Sequence, residues 1–387
     1  MVTSYLDSEN ERLAKKYCPL LVLYPEIEDG SRRKDHYHPA RERLGRPPLD
    51  QDYHPRDIRL ILDHVWLRDR KGKPSREDVI NVMSKNEVQY IDLIDGKGPK
   101  HVNKFWKVYA GIRNKDSILD EENKPLYGRK VYARVLRGTR WFRKYISIQY
   151  WMAFFFDDWA NVHEMDWEMV SVILKKTDKI EKPVACVYNA HVGSFRKWWD
   201  EVQKVDDDKN RNPEGLHPVA YIANGSHAAY FSDFPRYFCV AESYLKSALN
   251  TVLRITNVGK RFTDYVPSFE EGFKCFPDVE LIPELDKNAS DPEKRRWSEK
   301  WGWSNFNGKW GSPIELSFWE RIIARCNVIL RLYLIFQEPV REAGPRGPNT
   351  RRVCWEEPFE WVNLECFDAP ETKPWIGEIS NTDGNEL

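Results

Sequence analysis

The chain is poor in the features that announce most function classes. Seven cysteines in 387 residues are odd in number, scattered, and never spaced C-x-x-C. That argues against a disulfide framework or a structural zinc knuckle and points to a reducing compartment. Net charge is also missing, because 60 Lys and Arg stand against 60 Asp and Glu. No whole-chain field therefore draws the protein to nucleic acid or to an anionic membrane. There is no run of the roughly 18 to 20 apolar residues that a spanning helix needs. The first sixteen residues are polar and lack an apolar core, so a secretory signal is not expected. Nor is there a G-x-G-x-x-G, a Walker loop, a G-x-S-x-G elbow or an internal repeat. Ser226 lies beside His227, and Cys186 stands five positions from His191, so neither pair shares a strand face as a nucleophile and base would.

Aromatic residues, by contrast, are plentiful: 16 Trp, 18 Tyr and 18 Phe. They supply ample apolar surface to offset ordering entropy, and the length suits one large domain or two to three ordinary ones. Residues 11–23 read as a helix running into the apolar strand CPLLVLYP, and Tyr53-His54-Pro55-Arg56-Asp57 leads into a helix-period stripe at Ile58, Ile61, Leu62 and Val65. Residues 68–130 are polar and weakly periodic. From Ile146 to Leu174 the pattern turns dense in aromatic and β-branched residues, ISIQYWMAFFF and then WEMVSVIL, joined by the polar stretch DDWANVHEMD. VACVYNAHV (184–192) and PVAYIA (218–223) add two more strands. Strands without intervening helical patterns predict a mainly β fold, an antiparallel β-sandwich core with peripheral helices and long loops. One domain over residues 1–367 and a loose tail over 368–387 are expected. The Trp-rich segment around Trp297, Trp301, Trp303 and Trp310 reads as a lid on the core, and residues 318–336 as a packed helix that is open to an alternative role at a membrane surface or partner.

The chemistry concentrates in His163-Glu164-Met165-Asp166-Trp167-Glu168. Alternation along a strand sends Asp166 and Glu168 to one face, and His163, placed in the preceding loop, can bend over the same spot. Asp157 and Asp158 lie further up that loop. Carboxylates this close call for a cation or a shared proton. Oxygen ligands with an imidazole suit Mg²⁺, Ca²⁺ or Mn²⁺. The alternative is a set of strand-end charges bridged to Lys or Arg. His191, His217 and His227 stand near strand ends of the same block. His191 and His227 are the acid and base candidates if the protein is a metal-dependent hydrolase or lyase.

Taken in order, AKKYCPLLVLYPE (14–26), DYHPRDIRLIL (52–62), the 146–174 block, YNAHVGSFRKWW (188–199), HPVAYIANGSHAAYF (217–231), FNGKWG (306–311) and GPRGP (344–348) resemble the vacuolar protein sorting protein 62-related family. Met165 stands where that family's motif has glycine, which implies a backbone there that avoids glycine-only conformations. A more distant similarity is to the necrosis- and ethylene-inducing peptide-like cytolysins. The first His, the Asp and the Glu of their signature, with an upstream Asp, contribute to a divalent-cation site on a β-sandwich that engages membrane sphingolipid headgroups. His163, Asp166 and Glu168 match that signature, with Asp157 or Asp158 as the upstream acid. The resemblances imply a cation-binding protein that presents its ion to an anionic or polyhydroxyl ligand, such as a lipid headgroup or glycan. They also imply a role in vacuolar targeting or membrane traffic. The expected location is cytoplasmic, with peripheral contact at vacuolar or endosomal membranes.

Overall fold

The structure is a computed structural model that describes residues 2–25, 53–67, 73–94, 108–109, 111, 125–157, 161–177, 180–190, 193–206, 216–233, 236–237, 263–264, 266–285, 288–312, 340–341, 344–350, 352–362 and 379–380. The aromatic run becomes β5 (Tyr145–Asp157), in which every residue is buried. It forms a long antiparallel hairpin with β6 (Asn161–Thr177), in register from Asp157↔His163 to Tyr145↔Lys175. This hairpin is the centre of a sheet that also contains β15 (Asp278–Leu281), β4 (Lys130–Arg137), β7 (Ile180–Ala190), β8 (Gly193–Trp198) and β18 (Ile379–Ser380), in the order β15-β4-β5-β6-β7-β8-β18. Ile379 and Ser380 thus give the tail a paired segment. A second sheet runs β11 (Ala229–Tyr230), β10 (Leu216–Ile222), β1 (Leu20–Leu23), β14 (Phe273–Cys275), with β9 (Lys204–Asp206) on β10.

The expectation of a wholly antiparallel sandwich is corrected, because the sheets are mixed. β15 joins β4 in parallel, β1 joins β10 in parallel, and β17 (Val340–Arg341) lies parallel to β6. These partners are far apart in sequence, so the connecting chain has the length a parallel crossover needs. A small third sheet of β2 (Val65–Trp66), β3 (Tyr90–Leu93) and β16 (Lys309–Trp310) repeats the pattern, with β16 parallel to β3, while β12 (Arg236–Tyr237) and β13 (Thr263–Asp264) form a separate antiparallel pair.

Both faces of the central sheet are covered. One packs on the second sheet through Tyr150, Met152, Phe154, Val170 and Val172 against Leu21, Leu23, Ala220, Ile222 and Ala229. Helix α1 (Val2–Lys16) closes one end, where Tyr150 Oη donates to the Ala14 carbonyl at 2.9 Å. The other face meets helix α2 (Arg59–Leu62), helix α3 (Arg76–Ser84), the small sheet and Trp301, Trp303 and Trp310. Double coverage explains why YWMAFFF (150–156) reads as an unbroken apolar run rather than an alternating one. Trp167 stacks on Trp303 at 5.8 Å and meets Trp310 edge-on at 5.2 Å, so the Trp-rich segment does cap this core. The proposed helix at 318–336 lies outside the described residues.

The Tyr53–Asp57 motif carries a buried charge network. Asp57 meets Lys130 Nζ at 2.6 Å and an Arg59 guanidinium nitrogen at 2.8 Å, and accepts from Tyr132 Oη at 3.2 Å. Lys130 also reaches Glu280 at 2.7 Å. Burial by itself would raise the Asp57 carboxyl, but the Arg59 hydrogen bond and the Lys130 charge outweigh it and hold that carboxyl below its ordinary range.

Candidate functional site

The strongest cluster of metal-ligating groups sits at the tip of the β5–β6 hairpin, where an irregular backbone places it. In a regular strand residues 163 and 166 face opposite sides. Met165 breaks the alternation with φ 54°, a left-handed conformation that costs a side-chain-bearing residue free energy. The expectation that Met at this position keeps the backbone out of glycine's territory is therefore corrected. Two consecutive residues now turn toward the Trp-rich core. Met165 packs in it, and Glu164 Oε2 accepts from the backbone N–H of Leu93 at 3.2 Å and of Ser312 at 2.8 Å. The opposite strand makes the same slip, since Phe155 and Phe156 both join that core while Phe154 faces the second sheet. The result brings Asp157, His163 and Asp166 together at the second sheet's side. His163 is inside β6 rather than in a loop before it.

The fourth member comes from the second sheet. The turn between β10 and β11 is closed by Ala223 N–H to Ala228 O at 2.9 Å and His227 N–H to Ala223 O at 3.2 Å. Gly225 at φ 81° and His227 at φ 56° give it its bend. The His227 ring lies flat on Phe154, centroids 4.0 Å apart, and its Nδ1 is 3.2 Å from Asp166 Oδ2. Asp166 Oδ1 accepts from the Trp167 N–H at 2.8 Å, which locks the carboxylate's orientation. Ligand atoms of Asp157, Asp166 and His227, all three buried, lie within 4.8 Å of one another.

His163 touches this group through Asp157, and its tautomer follows from its partners. Nδ1 is 2.6 Å from the Met165 carbonyl oxygen, which only accepts, so Nδ1 carries the proton. In the neutral ring Nε2 then bears a lone pair, and it sits 3.4 Å from Asp157 Oδ2. A metal ion shared between the two would make use of that approach. Donation of the second ring N–H to a carbonyl is also how proteins orient a metal-binding imidazole.

The residues singled out in the sequence thus divide. Asp157, His163 and Asp166 are brought together, and His227 joins them as a candidate ligand rather than a distant acid or base. Glu168 shares the face of Asp166 and is buried, but lies outside the group of three. Asp158 and His191 fall outside the described residues. His217 is bound elsewhere, its Nδ1 2.7 Å from the Cys18 carbonyl. Cys186 is fully buried, and burial pushes its thiol well above the ordinary range, which disfavours a nucleophile. Glu164 escaped notice in the sequence, where nothing distinguishes it from its acidic neighbours.

No protein-family model and no curated protein sequence matches the chain. The vacuolar protein sorting 62-related resemblance therefore rests on its motifs alone. Solved structures that match include NLPPya in complex with glucosamine, 23% identical over 29% of this chain and 46% of that one, TM-score 0.20. The non-toxic HaNLP3 protein is 16% identical over 45% of this chain and 61% of its own, TM-score 0.21. NLPPya in complex with mannosamine is 15% identical over 54% and 70%, TM-score 0.22. The chain thus spans 46% and 61% of the length of the first two. These are necrosis- and ethylene-inducing peptide-like proteins, the class to which the H-x-x-D-x-E spacing is similar, and the match is one of local segments. Among the described residues no helix is long and apolar enough to cross a membrane.

Proposed function

We propose that the protein binds a divalent cation through Asp157, Asp166, His227 and His163, and presents the ion to an anionic or polyhydroxyl ligand. The observation that carries this reading is the convergence of buried ligand atoms at the hairpin tip, with His163 Nε2 3.4 Å from Asp157 Oδ2 and its Nδ1 2.6 Å from the Met165 carbonyl oxygen. The buried Asp157, Asp166 and His227 group supplies the remaining donors. Two imidazoles beside two carboxylates favour Mn²⁺ within the set Mg²⁺, Ca²⁺ and Mn²⁺, because nitrogen donors suit the softer ion. The side chains of His163 and Asp166 each keep 8% exposure, against 4% for Asp157 and 1% for His227. A ligand would therefore reach the ion along the His163–Asp166 edge. Vacuolar targeting, if the motif resemblance extends to it, would use the same edge at a lipid headgroup. His227, seated on Phe154 and facing Asp166, is better suited to holding the ion than to moving protons, and the other acid or base candidate of a hydrolase reading, His191, lies outside the described residues.

Calorimetric titration of metal-stripped protein tests the proposal. Wild type should bind Mn²⁺, and His163→Ala and Asp166→Asn should each weaken it by about tenfold or more. Equal affinity in all three proteins would sink the idea.

A further inference from the structure

The turn that delivers His227 holds a second polar side chain whose burial the fold does not explain. Asn224 is 3% exposed, yet neither its amide oxygen nor its amide nitrogen has a hydrogen-bond partner. Asparagine is common in turns because its side chain usually bonds the nearby backbone. Here that role is vacant, and backbone bonds close the turn, Ala223 N–H to Ala228 O and His227 N–H to Ala223 O. A buried amide without partners is costly to a fold, and such groups are rare in native proteins unless a water, ion or ligand completes them. Three positions further along the same turn, the imidazole of His227 meets Asp166. Amide oxygens are ordinary ligands of hard and borderline cations.

We infer that the Asn224 side-chain oxygen joins the coordination shell of the cation held by Asp157, Asp166 and His227, as a neutral oxygen donor from the second sheet. The inference rests on the cation reading above and adds a ligand to it. It also adds selectivity, because another oxygen donor moves the site toward Mn²⁺ and Ca²⁺ and away from Zn²⁺.

The test uses the full chain, stripped of metal and titrated separately with Mn²⁺ and Zn²⁺, with the thermal midpoint of each metal-free protein recorded. Asn224→Ala should lose about tenfold or more in Mn²⁺ affinity, lose less for Zn²⁺, and keep a metal-free midpoint equal to or above wild type, since it removes an unsatisfied buried group. A merely structural asparagine would give the reverse, a lower midpoint with unchanged affinity, and that result would overturn the inference. Asn224→Asp keeps the size and one oxygen while adding charge, so it should bind Mn²⁺ more tightly than wild type. Weaker or unchanged binding by this isosteric variant also refutes it, whether or not Asn224→Ala folds. A flat wild-type titration is a different result, because it removes the cation reading itself and the Asn224 role with it.

Discussion

Two sets of buried acids, Asp57 against β4 and Asp157 with Asp166 on β5 and β6, are met by different partners. Asp57 is met by an ammonium from Lys130 and a guanidinium from Arg59, both permanently charged near neutral pH. Asp157 and Asp166 are met by the imidazoles of His163 and His227. A carboxylate with its own cation is a finished brace between segments, in this case between the 53–59 stretch and β4. A carboxylate facing a ring nitrogen is conditional, since the imidazole can take a proton or share an ion. The first arrangement is a stabilising brace, and the second is the one that the proposed cation site would use.

The sharpest way to break this contrast is to remove the ammonium. Lys130→Met leaves the buried Asp57 short of its charge partner and should cost about 3 kcal/mol of unfolding free energy. A chemical-denaturation midpoint that does not move would refute the brace. Next in size, Asp57→Asn and Asp166→Asn should differ in sign. The first should lose about 2 kcal/mol. The second should leave the metal-free protein unchanged or more stable, by up to about 1 kcal/mol, because it relieves paired acids. It should also reduce the rise in thermal midpoint expected of wild type on adding Mn²⁺. A large loss in metal-free Asp166→Asn would make the two clusters alike.

Acid sharpens the same comparison. Asp57 has a depressed carboxyl in the folded protein, so its stabilisation is present above the unfolded value of about 3.9 and disappears as pH falls through the lower folded value. The stability of Asp57→Asn should therefore depend less on pH than wild type below about pH 4. Identical acid profiles for the two proteins would contradict this. The smallest effect concerns the kink. At Met165, where φ is 54°, glycine should be more stable than alanine by about 1 kcal/mol. At Met169, buried in an ordinary part of β6, glycine should be less stable than alanine by about 0.5 to 1 kcal/mol. The same order at both sites would mean that Met165 is not strained.

Much of the central hairpin is legible in the sequence, because burial on both faces writes itself as the continuous apolar run YWMAFFF. The H-x-x-D-x-E spacing is likewise visible, and Asp166 and Glu168 do share a face. What hides is the slip at Met165 and Phe155–Phe156. Alternation arguments assume extended φ, so they place His163 on the wrong side unless it is moved into a loop. The contribution of His227 depends on how one sheet lies on another, which no local pattern encodes. Helix α3 and β3 hide in a stretch that is polar on average. The reciprocal cap between Ser75 and Asp78, with Asp78 N–H to Ser75 Oγ at 3.1 Å and Ser75 N–H to Asp78 Oδ2 at 3.3 Å, is the signal that would have found the helix. Parallel edge pairs such as β15–β4 leave no trace in hydrophobic period either, since β15 is only four residues long.

One oxygen has an outsized consequence for how the molecule is assembled. Glu164 Oε2 gathers amides from Leu93 and Ser312, residues that flank most of the chain's length between them. The hairpin can pair as soon as its own two strands exist, but the bend beside His163 acquires this anchor only after a segment made much later has arrived. A fragment ending before Ser312 would lack that donor, so the proposed cation site, which draws ligands from the hairpin and from the β10–β11 turn, would depend on the finished chain.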